Sequence, residues 1–479
     1  MFKTSLIYFL IRAVNGVVAL ATIYVLTRIL TAEQYGLYAM GMAGLGLCGS
    51  VFFQWIAVAV SRFYAAHVAE PDALLVEAYR LFFRIAAAGS LVTAIYAVWS
   101  PMPAITPVLA LAIGIGAIAM GLHSLGLQVA NARGQPVSFG LLTVSRGVLA
   151  LIAAIALVQA GLGGVGAVFG AALASALSVT FFGARPLTKV RHNNPNLRHQ
   201  MVVYGLPLTL TYLATMVLDV SDRFMIGWWL GTPAVAGYSA SYDLTQQTVG
   251  AILNVLFLAS YPRVISAWEA GGAPAAREAM RPLSRALLLV APLVAGVFIG
   301  LAPEISKLVF GAELQADAVK VMPWVAFAVA LGCLKSFFLD IAFQLAKVTH
   351  MQLRITAVMA VLNVLLNFML IPKFGVVGAA MSTTAAFSLG SFMSWWYGRR
   401  LGVYPVRSCE VISMVVALIA IVLAIKLTPI SGVASLTDAS FRLFAGFASF
   451  AVAVMVTNLA GVRSALVRWL EVVRAKAVK

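Results

Sequence analysis

The sequence predicts an all-α, polytopic integral membrane protein with about 14 transmembrane helices. Residues of the apolar set (A, V, I, L, M, F, W, Y, C) fill 62% of 479 positions, about 297 in all. At ~20 apolar residues per crossing they supply roughly 14 spans. Charged residues make up only 10%, against the ~25% found where a surface must be wetted. The apolar residues also fall in long runs, and the mean hydropathy is +0.98. A soluble enzyme, a secreted disulfide scaffold and a disordered binder are excluded. Cys48, Cys333 and Cys409 lie in or beside apolar runs without metal-ligand or paired spacing, and read as small buried hydrophobes.

Taken in order, the runs predict spans at 6–30, 37–63, 80–99, 105–129, 138–160 and 165–184, then 204–230, 235–261, 283–302, 319–346, 352–371, 375–397, 411–428 and 441–460. The first run is too long for a cleaved signal and leads straight into further spans. Short breaks such as Gly161–Gly164 and Gly231–Pro233 leave no room for an extracytoplasmic domain, and Pro372, Lys373 and Gly375 must form a tight turn. The longest polar run in the first half, 184–200, is the natural hinge between two halves. The expected organisation is a six-helix bundle over 1–184, a basic cytoplasmic linker over 185–203, a second six-helix bundle over 204–398, two extra helices over 399–460 and a basic tail over 461–479. In the tail Leu466, Val467, Leu470 and Val473 alternate with Arg468, Arg474 and Lys476. It reads either as an amphipathic helix on the inner leaflet or as a solvated charged segment.

Lys plus Arg number 33 against 16 Asp plus Glu, a net charge of +17. Such a balance suggests nucleic acid in a soluble chain, so placement decides. With the N-terminus inside, 23 basic residues fall on inner loops and helix ends, five on the outer side and five within spans. That asymmetry is the positive-inside signature. It puts both termini in the cytoplasm and accounts for the charge with no nucleic-acid partner.

The two halves resemble each other. Gly163-Gly164-Val165-Gly166-Ala167 recurs 212 positions later as Gly375-Val376-Val377-Gly378-Ala379, and Leu30–Tyr38 has a looser echo in Leu230–Tyr238. Duplicated units with an even number of spans insert in the same orientation, so their pseudo-twofold axis is expected along the membrane normal, around a central cavity of the transporter kind.

An ionisable side chain at mid-bilayer costs roughly 2.5–3.5 kcal/mol on insertion scales and needs a partner, a wet cavity or a route to the interface. Arg12 lies two turns into the first span with Asn15 on the same face; Arg28 ends that span, Arg146 lies in the fifth, and Lys335 sits near the middle of the tenth. Span seven places Asp219, Asp222 and Arg223 on one face, either as a self-neutralised Asp219–Arg223 pair or as groups released when a charged ligand arrives. Asp243 lies on span eight with Gln246, Gln247 and Asn254, and Asp340 and Gln344 lie toward the inner end of span ten. Asn363 and Asn367 suit hydrogen bonding between helices, and His123 reads as packed rather than ligating. The embedded basic surplus favours an anion such as phosphate, which arginine grips with paired donors.

At Arg28–Tyr38, at Gly205-Leu206-Pro207 through Asp222-Arg223 to Gly237-Tyr238 and Tyr242, and at Leu362-Asn363, Asn367, Ile371-Pro372 and Phe374–Ala380, the chain resembles the polysaccharide-transporter family. These are the O-antigen-type lipid-linked oligosaccharide flippases of the MOP (multidrug, oligosaccharidyl-lipid, polysaccharide) exporter superfamily. The resemblance implies two six-helix bundles plus two helices, a V-shaped cationic cavity and a bacterial inner-membrane location. It also implies a substrate, an undecaprenyl-pyrophosphate-linked oligosaccharide moved outward. Arg28, Asp222 and Arg223 are the motif matches carried over.

The leading expectation is therefore a non-enzymatic flippase working by alternating access. Arg12, Asn15, Arg28, Arg146, Arg223 and Lys335 would bind pyrophosphate and sugar. Asp219, Asp222, Asp243 and Asp340 are candidates for coupling a proton or sodium ion, and the membrane potential alone is an equal alternative. No cofactor or metal is expected. The other readings are a multidrug or small-molecule antiporter of the same superfamily, an embedded polymerase or glycosyltransferase, and a scaffold beside a polysaccharide polymerase and other assembly proteins. The short outer loops and the lack of a phosphate-binding glycine loop disfavour the enzymes.

Overall fold

The computed structural model of the chain describes residues 2–67, 71–99, 105–183, 194–429 and 436–477, with side chains for 10–67, 71–99, 105–183, 194–429 and 437–469. Among the described residues there is helix and no strand. Two compact units, Met1–Ser239 and Ala240–Lys479, emerge from the packing.

The first unit contains α1 (Phe2–Ile29), α2 (Ala32–Gly49), α3 (Trp55–Tyr64), α4 (Pro71–Trp99), α5 (Pro107–Ala132), α6 (Pro136–Leu157), α7 (Gly163–Phe182), α8 (Pro195–Gly205), α9 (Leu208–Leu230) and the start of α10 (Thr232–Thr245). Polar caps set the starts: Thr31 accepts from the Gln34 amide and Thr106 from the Leu109 amide, with Pro107 where its missing N–H costs nothing. A π-helical turn, Ser50–Gln54, joins α2 to α3 within one span. Phe53, Trp55, Ile56, Leu74, Phe82, Leu125 and Met201 form a core where α3, α4, α5 and α8 meet. The linker helix α8 is therefore packed into the unit, while residues 185–193 of the expected linker lie outside the described residues. Span seven also belongs here: Gly227 lets α9 close on Met40, whose sulfur would stand 2.8 Å from an added Cβ. The packing boundary thus falls one helix beyond the sequence boundary at 184–204.

The second unit contains the rest of α10, α11 (Ala251–Gly300), α12 (Ala302–Val309), α13 (Ala312–Leu334), α14 (Ile341–Leu345), α15 (Thr349–Phe374), α16 (Val376–Gly398), α17 (Ser408–Leu427), α18 (Leu436–Thr457) and α19 (Val462–Ala477). The extra helices α17 and α18 pack on α11 through Leu288, Ile421, Ile425, Phe450 and Val454. The tail forms α19, although the side chains of Leu470, Val473, Arg474 and Lys476 lie outside the described residues.

Twelve helical stretches of the described chain are long and apolar enough to cross a bilayer. Two of them, Pro136–Phe182 with 47 residues and Thr232–Gly300 with 69, are each long enough for two crossings. They break at Gly161 (φ +89°) and at Gly271–Gly272, which gives the expected fourteen. Hydropathy marks only the lipid-embedded part of each helix, so the helices overrun the expected spans. The stretch 262–282, expected to lie outside a span, is helical apart from the two glycines, and α4 starts at Pro71 rather than near residue 80.

The tight turn expected at 372–375 is sharper than expected, since α15 runs to Phe374 and a single Gly375 (φ 59°, ψ −142°) starts α16. Gly163, 212 positions earlier, has nearly the same conformation (φ 54°, ψ −144°). Only glycine adopts this region without strain, so the sequence repeat recurs as a backbone repeat. Each half also carries a π-helical turn, Ser50–Gln54 and Gln246–Gly250.

Candidate functional site

The expected binding residues fall into three groups, the first on α1 and α6. Arg146 is half-buried, and its Nε donates to Ser175 Oγ at 3.0 Å. Its Nη groups have no protein partner among the described residues. Asn15 packs where α1 crosses α6, its Oδ1 3.2 Å from where a Gly147 Cβ would stand. Arg12, one turn earlier on the same helix, is exposed. Behind Arg146 is a polar thread that sequence reading did not find. Ser178 Oγ donates to the Ser175 carbonyl at 2.9 Å, and His123 Nδ1 lies 2.8 Å from Ser178 Oγ. His123 is buried, as expected, but hydrogen-bonded rather than merely packed. Beside it Ser124 donates to Gln54 Oε1 in the π-helical turn.

The second group lies on α9. Asp222 and Arg223 are buried, and the Tyr238 hydroxyl donates to Asp222 Oδ2. Asp219 is half-buried and makes no hydrogen bond or ion pair among the described residues, although Arg223 and Asp222 both act on it electrostatically. The self-neutralised Asp219–Arg223 pair considered from spacing does not form. Shared helical face sets direction only, and here the distance between charged ends decides.

The third group is in the second unit. Lys335 Nζ and Asp340 Oδ2 form a buried ion pair at 2.7 Å, and Ser394 Oγ donates to Asp340 Oδ1 at 2.8 Å. Residues five apart stand about 140° apart around an α-helix. A π-helical turn over Lys335–Leu339 closes that angle, with the Asp340 amide bonded to the Lys335 carbonyl. Lys335, expected to face substrate, is thus held within the protein by a carboxylate. Tyr404 locks this turn, its hydroxyl donating to the Leu339 carbonyl at 2.6 Å. Burial, reinforced by the Asp340 carboxylate, pushes the Tyr404 phenol up, so it stays a donor. A largely apolar pocket of about 480 Å³ lies against it, with Leu287, Leu334, Phe338, Trp395 and Met414 in its walls. Asp243 is half-buried on α10. Arg28 is exposed at the end of α1, stacked 3.6 Å over Tyr24, and is not brought to the Arg146 cluster by any contact described.

Two buried charges had escaped sequence reading. Glu77, fully buried, accepts from Arg80 at 2.7 Å, from Arg198 at 3.4 Å and from the Asn194 amide at 3.0 Å, tying α8 to α4. Arg442, counted among the outer basic residues, is buried; it pairs with Glu304 and donates to the Ile425 carbonyl at 2.8 Å. The signal in both cases was an acidic residue at the edge of an apolar run, where only 16 acids exist in the whole chain. Asn363 bonds between helices as expected, its Nδ2 donating to Thr383 on α16 at 3.3 Å, while Asn367 Nδ2 donates to Asn363 on its own helix at 3.1 Å.

Comparison with known proteins adds three findings. Residues 1–268 match the family described as polysaccharide biosynthesis protein. A probable flippase, AglR, of Haloferax volcanii is 26% identical over 254 residues, 52% of this chain and 52% of the relative, so the chain spans about half the length of that curated protein. In fold, the chain is similar to the lipid II flippase MurJ in an inward closed conformation (TM-score 0.77, 12% identity, 95% of this chain and 98% of the other). It is also similar to an inward-facing multidrug resistance MATE transporter of the MOP superfamily (TM-score 0.64, 14% identity, 81% and 98%).

Proposed function

Because the chain belongs to the polysaccharide biosynthesis protein family, we propose that it is a flippase for an undecaprenyl-pyrophosphate-linked oligosaccharide. It moves this lipid from the inner to the outer leaflet of the bacterial cytoplasmic membrane by alternating access, for surface or exopolysaccharide synthesis. The observation that carries the reading is the half-buried Arg146, fixed through Nε and leaving its Nη donors for an anion. A guanidinium fixed in this way presents paired donors in the geometry a phosphate accepts. Arg223 on α9 supplies a second buried cation and Arg12 an exposed one. Lys335 acts through Asp340 rather than on substrate. Apolar walls such as those of the pocket beside α13 and α17 suit the hydrocarbon tail. A polymerase at the outer leaflet is the fitting consumer of the product.

Arg146→Ala and Arg223→Ala, assayed singly for surface polysaccharide at equal protein level, are each expected to cut export at least tenfold. Unchanged export in both removes the arginines from the mechanism. One observation favours a second reading, a cation-coupled small-molecule antiporter: the half-buried Asp219 carboxylate without a hydrogen-bonded partner among the described residues. In the flippase the same group is the leading coupling site for a proton or sodium ion, with Asp222, Asp243 and Asp340 less available. Accumulation of lipid-linked precursor in a deletion strain separates the two functions.

A further inference from the structure

We propose that the pocket against Tyr404 is a site for a resident anionic phospholipid, one chain lying in the pocket and the phosphate held at its mouth by Arg407. The inference goes beyond the flippase reading, since the occupant is a lipid of the surrounding bilayer that stays with the protein while cargo passes.

The connection from α16 to α17 shapes the pocket. After Gly398 the chain makes a short turn over Arg399–Leu401, reverses at Gly402 (φ +70°) and runs without helix to Arg407. Tyr404 pins this strap, its hydroxyl donating to the Leu339 carbonyl at 2.6 Å with the Ser394 carbonyl 3.3 Å away. Gly398 leaves room for that hydroxyl, because an added Cβ would fall on it. Between the strap, α11, α13, α16 and the first turns of α17 a pocket of about 480 Å³ remains, within the ~300–1,000 Å³ of small-ligand sites.

Polar groups that could hold a ligand lie only at its mouth. The walls carry Leu287, Leu334, Phe338, Trp395 and Met414. The two serines among them spend their protons on helix carbonyls, Ser284 on Arg281 at 2.9 Å and Ser391 on Leu331 at 3.4 Å. Arg407 and Ser408 line the pocket at the start of α17, and both are exposed. Glu410, the acid nearest in sequence, accepts from the Arg407 backbone amide at 2.9 Å, and the guanidinium has no ion pair among the described residues.

Two features say which molecule meets this opening. Trp395 and Trp396, both exposed, lie under Arg399 at 5.0 and 3.8 Å. Such a tryptophan–arginine cluster belongs at headgroup depth, where the pocket faces lipid. Charge also fits. Residues 278–288 and 398–411 hold five arginines and two glutamates, and Glu278 is already paired with Arg281 at 2.8 Å. Basic pockets between transmembrane helices hold anionic headgroups, and a guanidinium offers phosphate paired donors. A lipid chain is as apolar as these walls, so it gains little by entering beyond filling space that would leave them without contacts. Selection must then come from the headgroup. The occupant also packs on Phe338 and Leu339, in the π-helical turn that brings Lys335 to Asp340.

The test releases the full-length protein from nanodiscs of equal parts phosphatidylglycerol and phosphatidylcholine and counts retained lipid by native mass spectrometry. Phosphatidylglycerol is expected to be retained about tenfold over phosphatidylcholine, the worth of one charge-assisted contact. Arg407→Gln is expected to erase that preference, whereas Arg354→Gln, an exposed arginine outside the pocket lining, keeps it. Equal retention of the two lipids by the unmodified protein, or the same loss in both variants, overturns the site. Phosphatidylglycerol with a diazirine at the end of one chain must label residues 331–339 or 391–414, and labelling confined to other segments overturns the placement. That labelling decides alone if Arg407→Gln does not fold. Farnesyl phosphate separates the sources of the chain: if an equimolar amount displaces the phosphatidylglycerol, the pocket belongs to a prenyl lipid and the proposal falls, and if the phospholipid stays the proposal stands. None of these readouts measures transport, so they stand or fall apart from the flippase reading.

Discussion

Lys335 shows how an embedded charge can be satisfied without a ligand. Its ammonium, Asp340 and Ser394 form a closed buried set, locked by Tyr404 across the π-helical turn. Removing one member of a buried pair strands the other charge, at a cost of about 3–5 kcal/mol, whereas an apolar replacement of both is often neutral. Lys335→Ala is therefore expected to lower the thermal midpoint of the purified protein markedly, and the double variant Lys335→Met with Asp340→Leu to recover most of the loss. Equal midpoints for Lys335→Ala and the parent would show that the pair is not structural. Arg146 is the contrasting case, held by one bond and otherwise open among the described residues, so its removal is expected to cost function more than stability. Composition and spacing identified both cations. They could not distinguish a partnered one from an open one, because the partner of Lys335 is reached only through a local departure from 3.6-residue periodicity.

The helices themselves were legible because apolar runs in lipid must satisfy their own backbone hydrogen bonds. Their ends were not, since nothing in hydropathy stops a helix at the membrane surface: α11 continues through Arg263, Glu269 and Arg277, and breaks only at Gly271–Gly272. The glycines at repeat positions were more informative. Gly163 and Gly375 share a positive-φ conformation that any L-residue adopts only with strain of about 1–3 kcal/mol. Gly163→Ala and Gly375→Ala are each expected to lower the thermal midpoint. Gly16→Ala, in open space inside α1, is expected to be neutral or mildly stabilising. If all three variants melt alike, the backbone argument for the repeat fails. Glu77 makes a similar point about the linker: one carboxylate holding Arg80, Arg198 and the Asn194 amide ties a segment that reads as a hinge to a transmembrane helix.

At the level of the whole protein, the distribution of basic residues was the strongest clue in the sequence, and it predicts an orientation that accessibility can test. In a cysteine-free background, Leu162→Cys at the α6–α7 turn is expected to react with an impermeant maleimide from outside the cell, and Arg463→Cys only after permeabilisation. The reverse pattern would invert the topology and with it the direction of transport. The chain belongs to the polysaccharide biosynthesis protein family, and in the function proposed above the embedded arginines hold a diphosphate in transit. The direct measurement is the movement of a fluorescent prenyl-diphosphate oligosaccharide between leaflets of proteoliposomes. The unmodified protein is predicted to carry it well above protein-free vesicles, and Arg146→Ala combined with Arg223→Ala to slow it at least tenfold at equal reconstitution. Rates that match in the two proteins, or no movement above protein-free vesicles, contradict the account.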